Sequence, residues 1–295
     1  MNIAVITPNP NSAITNLIYE AILKQGVHAR KIKISSISVD LSNPNNNDYK
    51  ILNGVLKGMN PDGAINRGIG INKTKKIFYR VDMYRALEIL DIPLINSREC
   101  LELATNKILT SLILRKAGIQ TPETVACETI ESAVKAYHAL GGDIVIKPMY
   151  GARGRGIIRV SEEGLAENIF NNLSQLDEPF YIQKYYEHDN RDIRAFVLGD
   201  KVIASMERIA DNWKTNIAKG ATARPLELDK EAQEIAVKSA QLVKGEIIGV
   251  DLMKTKNGYS VIEVNSVPGF AGLQSTTKLD IAAEIAKYCI RRFKK

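Results

Sequence analysis

The sequence predicts an α/β fold whose C-terminal part is α+β, and two observations lead to that prediction. In the first third, strand-length apolar runs alternate with helical patterns, which indicates a parallel sheet covered by helices. In the last third, strand-like runs follow one another across short turns, which indicates antiparallel hairpins. With 295 residues, the chain is long enough for roughly two to three domains of about 100–150 residues each.

The first third is the predicted parallel-sheet region. Ser12 is a suitable N-cap for its first helix, and Gly26 is a suitable terminator. No G-x-G-x-x-G motif follows the first strand, so a Rossmann dinucleotide site is not indicated there. The predicted elements are a strand at 2–7, a helix at 12–26, a strand at 29–34, an Asn-rich loop at 42–48, a strand at 62–67, a helix at Lys75–Leu90 and a strand at 92–96.

The middle of the chain begins with one predicted helix over 96–118, capped by Asn96 or Ser97 and ended by Gly118. A domain boundary near Arg98 is reasonable, and we predict three domains at 1–97, 98–185 and 186–295. The later elements are a strand at 124–127, a helix at 131–142, strands at 144–148 and 156–160 around a glycine-rich loop, a helix at 162–173 and a strand at 180–186.

The last third is rich in predicted strands. A hairpin is expected over 192–209 with its turn at Gly199–Asp200, and a second hairpin over 247–265. Helices are expected at about 230–244 and at 279–295.

Composition excludes several classes of protein. Hydrophobic residues make up 45% of the chain and charged residues 25%, which is typical of a globular protein in water. No apolar run approaches the roughly 20 residues of a membrane helix, and the N-terminus lacks the pattern of a signal peptide. Cys100, Cys127 and Cys289 are far apart, which favours buried thiols of a reducing cytosol over disulfides or zinc ligands. We therefore expect a cytoplasmic protein with no membrane partner.

The net charge of +7 is compatible with nucleic acid or with small anions such as nucleotides and carboxylates. Lys and Arg are dispersed along the chain apart from the terminal segment 291–295. That dispersion disfavours a nucleic-acid partner.

The glycine-rich loop lies between two predicted strands and holds Gly151, Gly154 and Gly156. Its order, G-x-x-G-x-G after a strand lysine, matches neither a Walker loop, a protein kinase loop nor a Rossmann loop. Arg153 and Arg155 favour a phosphate-covering loop over a plain mobile hairpin, which remains the alternative.

The register of the second hairpin follows from its apolar pattern. A two-residue turn at Asn257–Gly258 would set carboxylates opposite valines. A three-residue loop ending at Gly258 sets Asp251 opposite Glu263 instead, with Val250 facing Val264 and Leu252 facing Ile262. We therefore predict the second register.

That register brings together two carboxylates and the amide of Asn265, two residues after Glu263. Opposed carboxylates repel unless a cation lies between them. An all-oxygen set is the ligand type of Mg²⁺, so we predict a magnesium site at Asp251, Glu263 and Asn265. The alternative is that Arg or Lys side chains neutralise the pair.

The ordered motifs resemble the ATP-grasp superfamily and, more closely, the RimK-type α-L-glutamate ligases. The resemblance covers essentially the whole chain and is most specific over 96–277. Relatives in that family add glutamate to ribosomal-protein tails, to tetrahydromethanopterin or to a deazaflavin coenzyme. The motifs are Lys107 on a helix, IVIKP with Lys147, GARGRGI, QKYY, DIRAFVLG, Asp251 and IEVNSVPGF.

The resemblance implies an ATP-grasp fold, in which two α+β subdomains clamp ATP behind an N-terminal domain, and it implies a homo-oligomer. It also implies ATP and two Mg²⁺ or Mn²⁺ ions as cofactors. Segment 183–185 would bond adenine largely through its backbone. The implied roles are ATP contacts for Lys107, Lys147, Gly151, Gly154, Gly156, Gln183, Lys184, Tyr185 and Asp192, catalytic positions for Arg194, Arg208, Lys214 and Asn216, and metal ligation for Asp251, Glu263 and Asn265.

Three positions depart from the family pattern. Asn106 stands where Asp is common, Lys214 replaces an Arg, and Ala221 replaces the second glycine of a pair. Lys214 weakens the expected grip on substrate, because Lys lacks the bidentate fork of Arg. The segment that carries Trp213 is similar to the related ligases of lysine biosynthesis. The alternative is that Trp213 is an aromatic side chain packed in the fold.

The resemblance and the metal pattern together predict an ATP-dependent ligase that adds L-glutamate to a carboxylate acceptor through an acyl phosphate. A small cofactor similar to tetrahydromethanopterin is the leading acceptor, ahead of a peptide. The alternatives are a ligase acting on a protein C-terminus, a carrier-protein ligase of lysine biosynthesis, a ligase of D-amino acids and a nucleotide-binding regulatory module without turnover.

Overall fold

A computed structural model describes residues 1–39, 61–70, 73–149, 156–215, 217 and 220–294. The predicted Asn-rich loop at 42–48 lies outside these residues. The described strands are β1 (Asn2–Thr7), β2 (His28–Lys33), β3 (Gly63–Asn66), β4 (Leu94–Ile95), β5 (Thr124–Cys127), β6 (Ile144–Lys147), β7 (Ile158–Val160), β8 (Phe180–Lys184), β9 (Arg191–Leu198), β10 (Lys201–Ile209), β11 (Thr222–Pro225), β12 (Ile247–Thr255) and β13 (Gly258–Asn265).

The helices lie between these strands much as the periodicity predicts. They are α1 (Ala13–Lys24), α2 (Thr74–Ile89), α3 (Arg98–Thr105), α4 (Lys107–Lys116), α5 (Ile130–Ala139), α6 (Glu163–Gln175), α7 (Lys230–Leu242), α8 (Ala271–Gln274) and α9 (Ile281–Phe293).

Three sheets organise the described chain, and the predicted mixed α/β class is confirmed. The first is parallel with strand order β2-β1-β3-β4. The others are antiparallel, with orders β5-β8-β6-β7 and β11-β10-β9-β12-β13. Each sheet lies within one of the three predicted domains, whose boundaries stay a prediction.

The central strand β1 of the parallel sheet is buried, whereas the edge strand β2 is largely exposed. Residues 3–7 of β1 are all buried, as expected for a strand sandwiched on both sides. The chain leaves β1 for β2 on one side and then crosses to β3 on the other side. The strand order therefore reverses between β1 and β3, at the carboxyl edge of the sheet.

The prediction of a single helix over 96–118 is wrong, because two helices, α3 and α4, occupy this segment. It is broken at Asn106, which has extended backbone and accepts bonds from the N–H groups of Ile108 and Leu109. Asn side chains compete for backbone donors in this way, which favours a cap over a helix interior. The break makes Lys107 the first residue of α4, while Ser97 caps α3.

The hairpin of β12 and β13 has the predicted register at its functional pair. Val250 pairs with Val264, and Asp251 pairs with Glu263. The turn differs from the prediction, since Thr255 pairs with Gly258 across a two-residue loop. A bulge at Ile262 then restores the register, so Leu252 faces Val261 rather than Ile262. The predicted turn of the other hairpin, between β9 and β10, is confirmed at Gly199–Asp200.

The C-terminal helix α9 packs against α1 and the first sheet. Phe293 lies so close to Gly63 that a Cβ there would meet the ring at 2.3 Å. Cys100 and Cys289 are buried thiols as predicted, and Cys127 is half-buried. Among the described residues, no helix is long and apolar enough to cross a membrane.

Candidate active site

A cleft lies between the two antiparallel sheets and carries most of the predicted site residues. Strands of both sheets and the first residue of α4 contribute side chains to its walls. The predicted residues that line it are Lys107, Lys147, Gln183, Lys184, Tyr185, Asp192, Arg208, Lys214, Asp251 and Glu263.

Two lysines face this cleft from different elements. Lys107 begins α4 and donates to the Met149 carbonyl at 3.3 Å, and Lys147 ends β6. Burial lowers the pKa of Lys147 to about 8, against attraction from Glu263. Burial also lowers the pKa of Lys107, again opposed by Glu263. Two desolvated ammonium groups in one cleft attract an anion strongly.

The floor of the cleft is a buried network of two aspartates and two arginines. Arg208 donates to Asp192 at 2.7 Å and lies 3.1 Å from an oxygen of Asp251. Arg194 bonds Asp251 through both Nε and Nη2. Burial alone raises the pKa of Asp251, but Arg194 and Arg208 hold it below its ordinary value. Asp251 is therefore ionised and ion-paired in this structure.

The carboxylate of Asp192 is already hydrogen-bonded by other side chains of the protein. Its two carboxylate oxygens accept bonds from Arg208 and from the Thr215 hydroxyl. The predicted direct contact of Asp192 with nucleotide therefore competes with these bonds. The geometry favours a role in holding Arg208 against the cleft.

The three predicted metal ligands lie on neighbouring strands but differ in their surroundings. Glu263 has no ion pair with any described cation within 4.0 Å, and it faces Asp251 across the ladder. The Asn265 amide nitrogen is buried without a hydrogen-bond partner. The carboxylate oxygens of Asp251 and Glu263, together with the amide oxygen of Asn265, form an all-oxygen ligand set of the kind that fits Mg²⁺. Arg194 and Arg208 already neutralise Asp251, as the alternative prediction expected. A metal ion at this site would therefore compete with these arginines for that carboxylate.

No three His, Cys, Asp or Glu side chains converge elsewhere in the described chain. The candidate magnesium site rests on two carboxylates and one amide. Such a set suits an ion that completes its shell with water and phosphate oxygens.

The segment predicted to bond adenine ends β8. The N–H of Lys184 donates to the Glu123 carbonyl and that of Tyr185 to the Asp143 carbonyl, each at 2.9 Å. The Gln183 side chain donates to Thr124 and Tyr181. These two N–H groups are therefore already bonded within the protein and are not free for the predicted contact with adenine.

One wall of the cleft is aromatic and combines Tyr185, which the sequence assigned to the site, with Trp213, which it did not. Trp213 packs edge-to-face on Tyr185 with ring centroids 6.2 Å apart, and both line the cleft. Arg159 lies 3.5 Å from the Tyr185 ring centroid on the other side. The Lys214 ammonium lies 5.1 Å from the Trp213 ring. No spacing pattern in the sequence pairs Tyr185 with Trp213, and only the fold brings these two residues together.

Some predicted residues lie outside the described part of the chain, namely Gly151, Gly154 and Asn216. Gly156 is described, with a φ of +73° that favours glycine. A Cβ at Gly156 would approach Pro148 to 2.8 Å, so the base of the β6–β7 hairpin requires glycine there.

Sequence comparison finds ligases among the relatives. The tetrahydromethanopterin:alpha-L-glutamate ligase of Methanocaldococcus jannaschii is 34% identical over 224 residues, which cover 74% of this chain and 76% of that protein. A probable alpha-L-glutamate ligase of Rhodopirellula baltica is 30% identical over 295 residues, covering 98% of this chain and 70% of the relative.

Solved structures share the fold at lower identity. The ATP-grasp ligase PsnB with its minimal precursor has a TM-score of 0.77 and 18% identity, with 98% of each chain covered. The D-alanine–D-alanine ligase of Bacillus anthracis bound to ATP has a TM-score of 0.69 and 18% identity, with 100% of this chain and 97% of that chain covered. These likenesses confirm the predicted ATP-grasp fold. The model of the RimK-like ATP-grasp domain matches residues 104–289, and the chain therefore belongs to the RimK-like ATP-grasp family.

Proposed function

We propose that this protein is an ATP-dependent ligase that joins L-glutamate to a carboxylate acceptor. The observation that carries the proposal is the convergence of Lys107, Lys147 and Arg208 on the cleft that also holds Asp251 and Glu263. Relatives at 30–34% identity bear the name alpha-L-glutamate ligase, which supports glutamate as the amine substrate.

The acceptor carboxylate attacks the γ-phosphorus of ATP, which forms an acyl phosphate and releases ADP. The glutamate amine then attacks the acyl carbon, loses a proton and expels phosphate, leaving an amide bond. Lys107 and Lys147 offset negative charge on the phosphates, and Arg208 supplies fixed positive charge at the floor. Asp251, Glu263 and Asn265 would hold Mg²⁺ or Mn²⁺, which neutralises phosphate charge when bound.

Water exclusion matters because an acyl phosphate hydrolyses readily. Shielding of the intermediate by the loop Gly151–Gly156 stays a prediction, because residues 150–155 lie outside the described part of the chain. Trp213 and Tyr185 supply an apolar wall beside the lysines, where an adenine ring stacks favourably.

The acceptor we favour is a small cofactor of the tetrahydromethanopterin kind. The support is that relatives 34% identical to this chain are named for that acceptor. A protein C-terminus is the competing acceptor.

The test is ADP release by the purified protein with Mg²⁺, ATP and L-glutamate, with tetrahydromethanopterin or a peptide ending in glutamate as acceptor. We expect acceptor-dependent ADP release and a product whose mass increases by one glutamyl residue. ADP release with D-alanine but not glutamate would overturn the choice of amine. Tight nucleotide binding without any release would favour a regulatory module.

A further inference from the structure

A half-buried arginine lies outside the ATP cleft and has no acidic partner among the described residues. Arg67 directly follows β3, and its N–H donates to the Ile6 carbonyl at the end of β1 at 2.7 Å. This is where the strand order reverses between β1 and β3. In open parallel sheets, ligands bind outside the carboxyl ends of the strands at such a reversal. The position of Arg67 is therefore that of a ligand-binding residue in this type of sheet.

The guanidinium of Arg67 is only partly satisfied by the protein. Its Nη2 donates to the Pro268 carbonyl at 3.2 Å, while its Nε is buried without a hydrogen-bond partner. Burial lowers the pKa of Arg67 to about 10, and the nearby titratable groups are Tyr84 and Cys289 rather than a described carboxylate. A buried donor without a partner is destabilising, so an anion that accepts from this guanidinium would bind favourably.

A second guanidinium lies at the same edge of the sheet. Arg80 of α2 donates through Nη1 to the carbonyl of Ile69. A Cβ placed on Gly70 would lie 3.3 Å from that Nη1 and 2.7 Å from Pro8, so Arg80 is beside the loops that follow both β1 and β3. Gly70 has a φ of +73°, which keeps this edge free of a side chain.

Arg67 is also close to the floor of the ATP cleft. Pro268, whose carbonyl it bonds, would lie 3.0 Å from a Cβ on Gly249, and Nη1 of Arg194 would lie 3.2 Å from the same atom. Pro268, which Arg67 bonds, and Arg194, which bonds Asp251, therefore both lie beside Gly249.

We propose that Arg67, assisted by Arg80, binds a substrate carboxylate that does not react. This inference rests on the proposed function, because that reaction leaves L-glutamate with two spectator carboxylates and an acceptor with others. The planar guanidinium matches a carboxylate with two parallel hydrogen bonds. The free carboxylate belongs either to glutamate or to the acceptor, and kinetics separate the two sources.

The test compares Arg67→Gln, Arg67→Lys and Arg80→Gln with Arg85→Gln, an exposed residue of α2 that loses the same charge. Michaelis constants are measured separately for ATP, L-glutamate and tetrahydromethanopterin. We expect Arg67→Gln to raise the constant for one carboxylate substrate at least about tenfold, as for a lost charged hydrogen bond. The constant for ATP should stay within about twofold, and Arg67→Lys should recover part of the loss.

A rise confined to glutamate assigns the site to the amine substrate, and a rise confined to tetrahydromethanopterin assigns it to the acceptor. Constants for both substrates that match Arg85→Gln would overturn the proposal. If Arg67→Gln does not fold, Arg67→Lys and Arg80→Gln decide by the same criterion.

Failure of the proposed function would show separately as inactivity of the unmutated protein. Calorimetric titration of L-glutamate and of glutarate into protein loaded with Mg²⁺ and a non-hydrolysable ATP analogue still tests Arg67 in that case. Binding that weakens in Arg67→Gln but not in Arg85→Gln supports the site. Equal binding by the two variants, or no binding by the unmutated protein, overturns it.

Discussion

Asp251 and Glu263 face each other across β12 and β13, yet their electrostatic environments differ. Asp251 is buried and bonded by Arg194 and Arg208, whereas Glu263 has no ion pair with a described cation. The two carboxylates therefore contribute differently to stability. Removing the charge of Glu263 breaks no described bond, while removing that of Asp251 would leave Arg194 without its described carboxylate partner and Arg208 with Asp192 alone.

Replacing Glu263 by Gln is expected to lower ADP release at least about 100-fold, because the amide loses the charge that a hard divalent cation requires. The melting temperature should change little, since no described bond to the carboxylate is lost. Steady-state kinetics and thermal melts measure the two effects. Glu131→Gln, on an exposed carboxylate of α5, is the matched control. Normal turnover by Glu263→Gln would refute the metal assignment.

Replacing Lys147 by Met is expected to weaken ATP binding and to stabilise the fold at neutral pH. The pKa of Lys147 is lowered to about 8 by burial, so the folded protein loses this proton at lower pH than the unfolded chain. The cost of the buried ammonium is therefore fully present below about pH 8 and fades as pH rises toward the unfolded value near 10.5.

Denaturant unfolding at pH 7 and at pH 10 measures this difference. The variant should exceed the unmutated protein by on the order of 1 kcal/mol at pH 7, with a smaller gap at pH 10. A gap that grows with pH would contradict the sign of the shift.

At the scale of elements, the break between α3 and α4 determines the direction of the Lys107 side chain, which is a candidate contact for the phosphates of ATP. The Asn106 side chain accepts two N–H groups of α4, which begins the new helix at Lys107. The ammonium of Lys107 then reaches the Met149 carbonyl beside the β6–β7 loop. A continuous helix would carry Lys107 in a different direction, so the cap is part of the site.

Asn106→Ala is expected to cost about 1 kcal/mol of stability and also to raise the Michaelis constant for ATP, because both cap and lysine position are lost. Thr129→Ala is the matched control. It removes the N-cap of α5, where the Thr129 hydroxyl accepts a hydrogen bond from the Ser132 N–H at a distance from the cleft. It should cost a similar free energy without affecting ATP. Unfolding curves and ATP kinetics distinguish the two, and an identical response of both variants would contradict the positioning role.

At the scale of the molecule, Asn96 connects the first sheet to the third. Its side chain donates to the carbonyls of Ile247 and Ser266 at 2.7 and 2.8 Å, and it accepts from Glu246 and Ile247. All four bonds reach across at least 150 residues of sequence. A shared apolar core adds to this connection, with Ile3 and Ile18 packed in one cluster with Phe270 and Ile285.

Asn96→Ala would leave two buried N–H groups and two buried carbonyls without these partners, at roughly 1–3 kcal/mol for each unsatisfied group. We expect a loss of several kcal/mol in unfolding free energy, measured by denaturant titration. Asn16→Ala, which removes a single bond from Lys31, is the control and should cost far less. A loss below about 1 kcal/mol for Asn96→Ala would show that the core alone joins these regions.

Much of the fold follows from local patterns in the sequence. Apolar periodicity gave the order of strands and helices, and the alternation in β13 placed Asp251 opposite Glu263. Two predictions were wrong, the single helix over 96–118 and the three-residue turn of the second hairpin, because local conformational preferences compete at these positions. Asn106 served as a cap within an otherwise helical pattern, and a two-residue turn was reconciled with the register by a bulge at Ile262.

The sequence by itself determined the ATP-grasp fold class, the opposed acidic pair and the two lysines that line the cleft, because periodicity and motif order are local properties of the chain. Only the tertiary structure decided which charges meet. Arg194 and Arg208 bond Asp251 from β9 and β10, and Asn96 bonds residues some 150 positions away. Arg67 meets Pro268 across 201 positions. Such partners are set by how the sheets pack, and no spacing along the chain encodes that distance.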